Sequence, residues 1–158
     1  MAAPLYGSAQ PLPLHQRNEG AATECRPYKS TMKNDDFRET FKQLKAIFKP
    51  YAAKLHVVHD TDTNYYLDTH LVMKNKQPLF FGAVRTGKAY VSFHLMPVYA
   101  SSELQKTISP ELKKRMQGKS CFNFKTPDEK LFKELAKLTK AGFKMFHDPN
   151  FLQKILSR

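Results

Sequence analysis

LFFGAVRTGKAYVSFHLMPVY, residues 79–99, reads as two β-strands folded on a tight turn. Leu79, Phe81 and Ala83 alternate with Phe80, Gly82 and Val84 in its first half. Ala89, Val91, Phe93 and Leu95 alternate with Tyr90, Ser92, His94 and Met96 in its second. A period of two sends successive side chains to opposite faces of a sheet. Thr86-Gly87-Lys88 supplies the reversal, with Gly87 expected at positive φ. The rest of the chain reads as material that covers one face of this hairpin.

Upstream, Asp36 begins a helix, because Asp36 and Glu39 have the spacing of a capping box. Apolar residues at 37, 41, 44, 48, 51 and 55 form one stripe, with Lys42, Lys45 and Lys49 off it. Pro50 has no amide hydrogen to give Ala46, so the helix breaks there. Leu55–His59 and Tyr65–Leu71 read as strands separated by the turn-rich Asp60-Thr61-Asp62-Thr63-Asn64, and Lys74–Pro78 is a further turn. Downstream, Ser101-Ser102-Glu103 starts a short helix. Ser109-Pro110-Glu111 starts another, with an N-cap hydroxyl, a first-turn proline and an acid at the positive end. Gly118 reads as the residue that stops it. Ser120–Phe124 is a short strand. Thr126-Pro127-Asp128-Glu129 starts a long helix, and Asp148-Pro149 a last short one. Strands grouped between helices predict an α+β domain: an antiparallel sheet of about five strands with helices packed mainly on one face. The expected core includes Phe37, Phe41, Leu44, Phe48, Val91, Phe93, Leu95, Leu131, Leu135 and Leu138.

Residues 1–33 hold four of the ten prolines and show no apolar periodicity, which predicts a disordered extension before one domain at 34–158. Met32 directly precedes the first amphipathic segment and reads as an alternative natural start. The 158 residues, 41% hydrophobic with twelve Phe and seven Tyr, suffice for a core. No apolar run is long enough to span a bilayer, and residues 1–16 lack the pattern of a secretory signal. Two cysteines, Cys25 and Cys121, make no disulfide framework. A reduced, cytoplasmic protein without membrane contact is expected. Of the net charge of +12, residues 35–158 carry +10, from 22 Lys/Arg against 12 Asp/Glu. That balance favours anionic partners, and dispersed lysines also keep a small domain soluble.

Two stretches carry a family resemblance: residues 79–99, and LKKRMQGKSCFNF at residues 112–124. With the pattern around them, from about Asp36 to Phe146, they resemble the YdhG-like family of small bacterial α+β domains, largely a domain of unknown function. The resemblance implies a sheet with helices packed on it. Some members carry a frataxin-like iron-chaperone assignment, which implies an iron role as an alternative.

No catalytic signature is present: no phosphate loop, no zinc-finger spacing and no cysteine-enzyme motif. A non-enzymatic domain without a cofactor is expected, binding an unknown small molecule or protein. Tyr90, Ser92, His94 and Met96 share a strand face, with Tyr66 on a neighbouring strand and Arg85 near the turn; this set suits a ligand site with aromatic walls and few polar groups. Lys113, Lys114, Arg115 and Lys119 are the densest basic group and suit weak, non-specific contact with an anion or nucleic acid. An alternative metal site would draw on His56, His59, Asp60, Asp62, Asp68 and His70, since ferrous iron accepts carboxylate and imidazole. In a regular strand His56 and His59 would face opposite sides. Cys121, beside Lys119, could form a thiolate with His94 as its base. A small core cysteine is the simpler reading.

Overall fold

The computed structural model of the protein describes residues 21–157. Contacts divide the chain into Met1–Lys33 and Asn34–Arg158, and the second unit carries the sheet. The expected disordered extension lies outside the described residues over 1–20. From Ala21 the chain is helical, and α1 runs Ala21–Phe48. Asp36 is therefore interior to α1 and does not cap it. Pro50 ends α1 as expected, and the chain tightens into a 3-10 turn, Lys49–Lys54.

Four strands come after this turn: β1 (His56–Asp60), β2 (Asn64–Val72), β3 (Pro78–Thr86) and β4 (Val91–Leu95). Three short helices come next: α2 (Met96–Ala100), α3 (Ser102–Lys106) and α4 (Pro110–Lys113). A second hairpin joins β5 (Met116–Gln117) to β6 (Cys121–Phe124), and α5 (Glu129–Met145) and α6 (Pro149–Leu156) close the chain. The sheet order is β1-β2-β3-β4-β6-β5, antiparallel throughout. The fold is α+β, with six strands among the described residues. The sixth, β5, lies where the sequence suggested the end of a helix. Gly118 does have a positive φ, 72°, but it turns the β5–β6 hairpin and is not a helix stop. Gly87 is not at positive φ. Its loop, Gly87 to Tyr90, is instead closed by the Gly87 amide donating to the Tyr90 carbonyl at 2.9 Å.

The caps explain the helix starts. Ser101, Ser109 and Asp148 accept from backbone amides at the heads of α3, α4 and α6. Asp128, not Thr126, caps α5, by accepting from the Leu131 amide at 3.2 Å. The Ser109 cap is itself held: the Glu134 carboxylate accepts from its amide and hydroxyl at 2.7 and 2.8 Å. This ties α4 to α5.

All ten expected core residues are buried. Phe48 of α1 stacks on Phe93 of β4, with centroids 4.6 Å apart and planes 2° from parallel. It also meets the edge of Phe81 at 6.0 Å. Strict alternation fails in β3. Leu67 of β2 pairs with Gly82, but the next residue, Asp68, pairs with Phe80. One residue is thus inserted, and a bulge of this kind puts neighbours on one side. Phe81 and Gly82 both face the core, while Phe80 and Ala83 face away. Gly82 has to lack a side chain, because a Cβ there would stand 2.5 Å from Cζ of Phe48. On α5, Gly142 plays the same part against Pro97, 2.5 Å from where its Cβ would be. Lys45 of α1 spans the edge of this core face, with its ammonium paired to Asp60 and 4.9 Å from the Tyr65 ring. No helix among the described residues is long and apolar enough to cross a membrane.

Candidate functional site

α1 and α5 bury their apolar faces in the core cluster with Tyr65, Leu67, Val84, Val91, Phe93, Phe122 and Phe124 of the sheet. Residues paired across neighbouring strands share a face, so the register defines what the other face carries. One row runs His59, Tyr66, Ala83, His94, Cys121, Gln117. The next runs Asn64, Arg85, Ser92, Asn123. Asp68 pairs with both His56 and Phe80. Most of these side chains are partly or fully exposed, and they contact one another. Tyr66 lies 4.8 Å from Phe80 and 6.1 Å from His59, centroid to centroid. Asn123 Nδ2 donates to Gln117 Oε1 at 2.9 Å, and the Tyr90 hydroxyl donates to the same oxygen at 3.3 Å.

The structure therefore brings Tyr66, Arg85, Ser92 and His94 to one face, as the sequence suggested. Tyr90 is in the loop before β4, not in the strand, and joins the face only through Gln117. Met96 is not part of it. Pro97 turns the chain into α2 there, and Met96, as first residue of that helix, packs on the core. Phe80, Asn64, Asn123 and Gln117 are members that the sequence did not single out. Phe80 was hidden by the β3 bulge. The two hairpin residues could be found only by pairing β5 with β6.

Asp68 and Asn64 carry polar atoms without partners. Asp68 is only 8% exposed, and its Oδ1 has no hydrogen bond; Asn64 Oδ1, buried in the same strand, has none either. Burial raises the Asp68 carboxyl above its ordinary pKa, partly opposed by the positive potential of His56. His94 and Cys121 form the one pair with the elements of a nucleophile and base among the described residues, Sγ to Nε2 at 3.5 Å. Their protons argue against that use. Burial pushes the Cys121 thiol up, with a hydrogen bond to Ser92 opposing it. Burial, and then the Arg85 guanidinium, hold the His94 imidazole below the usual histidine range. Both shifts favour the neutral thiol and neutral imidazole over a thiolate–imidazolium pair.

The six residues of the alternative metal site are not gathered. A bulge between Val57 and His59 restores His56 and His59 to one face, contrary to the regular-strand expectation. Asp60 is turned the other way and held by Lys45. No group of three His, Cys, Asp or Glu placed to hold a metal ion occurs among the described residues. The basic group also divides. Lys114 and Arg115 line an open cleft of about 430 Å³ together with Glu111, Asp128, Lys130 and Leu131. Glu111 and Asp128 oppose the cations there, and Glu111 is already paired with Lys130 at 2.9 Å. Lys113 does not line this cleft. Lys119 stands 5.8 Å over the Tyr99 ring. No protein-family model matches this chain, and neither a curated protein nor a solved structure matches it.

Proposed function

We propose that residues 34–158 are a non-enzymatic binding module of the YdhG-like type, acting in the cytoplasm, which receives its ligand or partner on the sheet face opposite the helices. The observation that carries this reading is the pair of cross-strand rows on that face. Tyr66, His94 and Ser92 stand there partly exposed while the opposite side of the same strands supplies the packed core. A face freed from packing, with rings and hydrogen-bonding groups side by side, has the composition of a recognition surface. The shifts at His94 and Cys121 support binding over covalent catalysis, since a weakened imidazole base beside a weakened thiol acid disfavours the proton transfer that makes a thiolate.

The test is a panel of ligands scored by the rise in melting temperature of the full chain. A ligand selective for the folded state must stabilise it. The same panel is run on a Tyr66→Ala/His94→Gln variant. The expected result is a stabilising ligand whose effect disappears in the variant. A ligand that stabilises both proteins equally places the binding site elsewhere and refutes this reading.

A further inference from the structure

The geometry points to single-stranded nucleic acid as the occupant of the open sheet face, an inference that rests on the binding-module reading above. Three features of this face converge. The first is a run of rings over three adjacent strands, His59, Tyr66 and Phe80, separated by 6.1 and 4.8 Å. Their planes are tilted by 73° and 30°, so the rings partly cover one another. Every nucleobase has a π-face, so a base stacks on an outer ring face of such a run with little regard to sequence. The second is a pair of buried acceptors without donors. Asp68 Oδ1 and Asn64 Oδ1 lie on β2, two residues to either side of Tyr66. An acceptor removed from water and left unpaired costs free energy; both oxygens are closed to solvent here, so a ligand N–H recovers that energy only where neighbouring side chains part to admit it. The exocyclic amino groups of adenine, cytosine and guanine are donors of that kind.

The third feature is charge. Arg85 pairs across the sheet with Asn64 on one side and Ser92 on the other, so a cation adjoins Asn64 and acts on Tyr66. Lys88 is in the loop after β3 and Lys125 directly after β6, at the same end of the sheet, and both are exposed. The unit as a whole carries a net +10 over residues 35–158. Phosphates are the matching anions. A single strand fits better than a duplex, in which base faces are already stacked and the Watson–Crick donors paired. It also fits better than one free nucleotide, because rings on three strands spaced about 4.8 Å apart extend beyond a single base. The cleft at Lys114 and Arg115 has two carboxylates in its lining and no ring, so it offers neither stacking nor a clean positive field.

The experiment is fluorescence anisotropy of the full chain with a labelled 12-nucleotide single strand of mixed sequence, in RNA and DNA forms, and with the matching duplex, at 50 and 200 mM salt. The single strand is expected to bind more tightly than the duplex and to weaken as salt rises. Tyr66→Ala should lower affinity roughly 5- to 150-fold, the effect of losing one stacked base. Tyr66→Phe, which keeps the ring, should retain it. Arg85→Gln should reduce the slope of log affinity against log salt by about one. Circular dichroism confirms that each variant is folded. Absence of oligonucleotide binding overturns the inference, as does binding indifferent to Tyr66→Ala or lost only on Lys114→Gln/Arg115→Gln. If a small molecule stabilises the wild type but not Tyr66→Ala/His94→Gln while oligonucleotides fail, the nucleic-acid inference falls and the face remains the site. If stabilisation by every ligand survives that variant, both fall.

Discussion

Replacing Gly82 with Ala tests the packing that separates the two sides of the sheet. The added Cβ would lie 2.5 and 2.7 Å from Cζ and Cε1 of Phe48, and 2.9 Å from the His94 carbonyl oxygen. Carbon atoms settle at about 3.5–4.0 Å, so the ring has to retreat by about 1 Å. It has nowhere to go: Phe48 is wholly buried, stacked on Phe93 at 4.6 Å and edged by Phe81 at 6.0 Å. Overpacking of this kind costs about 1–3 kcal/mol. Removing the backbone freedom of glycine from the unfolded chain returns about 0.4–1 kcal/mol. The net loss is about 1–2 kcal/mol, read as a lower urea midpoint by circular dichroism with the slope unchanged. Phe48→Leu removes the crowding atoms, so it should cost less in the Gly82→Ala background than in the wild type. The coupling between the two should be about 0.5–3 kcal/mol. A Gly82→Ala protein as stable as wild type, or additive effects of the two changes, would refute the placement of Phe48 over β3.

Phe93→Ala should destabilise by about 3–5 kcal/mol in the same urea assay, since it empties the centre of the aromatic core; a loss near zero would contradict the strand's face. Asp68 has a raised carboxyl pKa, so the folded state holds its proton more tightly than the unfolded state does. Its contribution therefore lowers stability as pH rises from the ordinary carboxylate range through the raised value, and Asp68→Asn should remove that slope and stabilise the protein at pH 7. His94 has the opposite sign: its lowered pKa means stability is lost as pH falls below the ordinary histidine value of about 6.5, and His94→Gln should flatten that part of the curve. The Cys121 thiol, in a Cys25→Ser background, should react with a disulfide reagent more slowly at pH 8 than a free cysteine, and His94→Gln should not slow it further.

Much of the fold was legible because the deciding patterns are local. The 3.6-residue stripe from Phe37 to Phe48, the alternation of Val91, Phe93 and Leu95, and the caps at Ser101, Ser109 and Asp148 depend on a few neighbouring residues each. The misplaced features depend on partners distant in sequence. The inserted residues at Val58 and Phe81 reverse the face of the residues after them, and a bulge becomes visible only when the opposing strand is known. They are the reason His56 and His59 share a face and Phe80 joins Tyr66. β5 is two residues long, too short to show a period, and takes its identity from pairing with β6. Asp36 and Glu39 satisfied a capping pattern inside a helix that starts at Ala21, because the spacing of a box does not exclude helix before it. Met96 followed the alternation, yet Pro97 beside it belongs to the first turn of α2. Of the candidate site, the strand residues Ser92 and His94 came from parity alone. The unpartnered acceptors Asn64 and Asp68 could emerge only from packing.

Backbone amide shifts of the isotopically labelled full chain, titrated with the single-stranded 12-mer, test the open face most directly. Shifts centred on Tyr66, Arg85, Ser92, His94 and Asn123, and spread over strands that are not contiguous in sequence, are the predicted result. Shifts centred instead on Glu111, Lys114, Arg115 and Lys130, with the sheet residues unmoved, would contradict it.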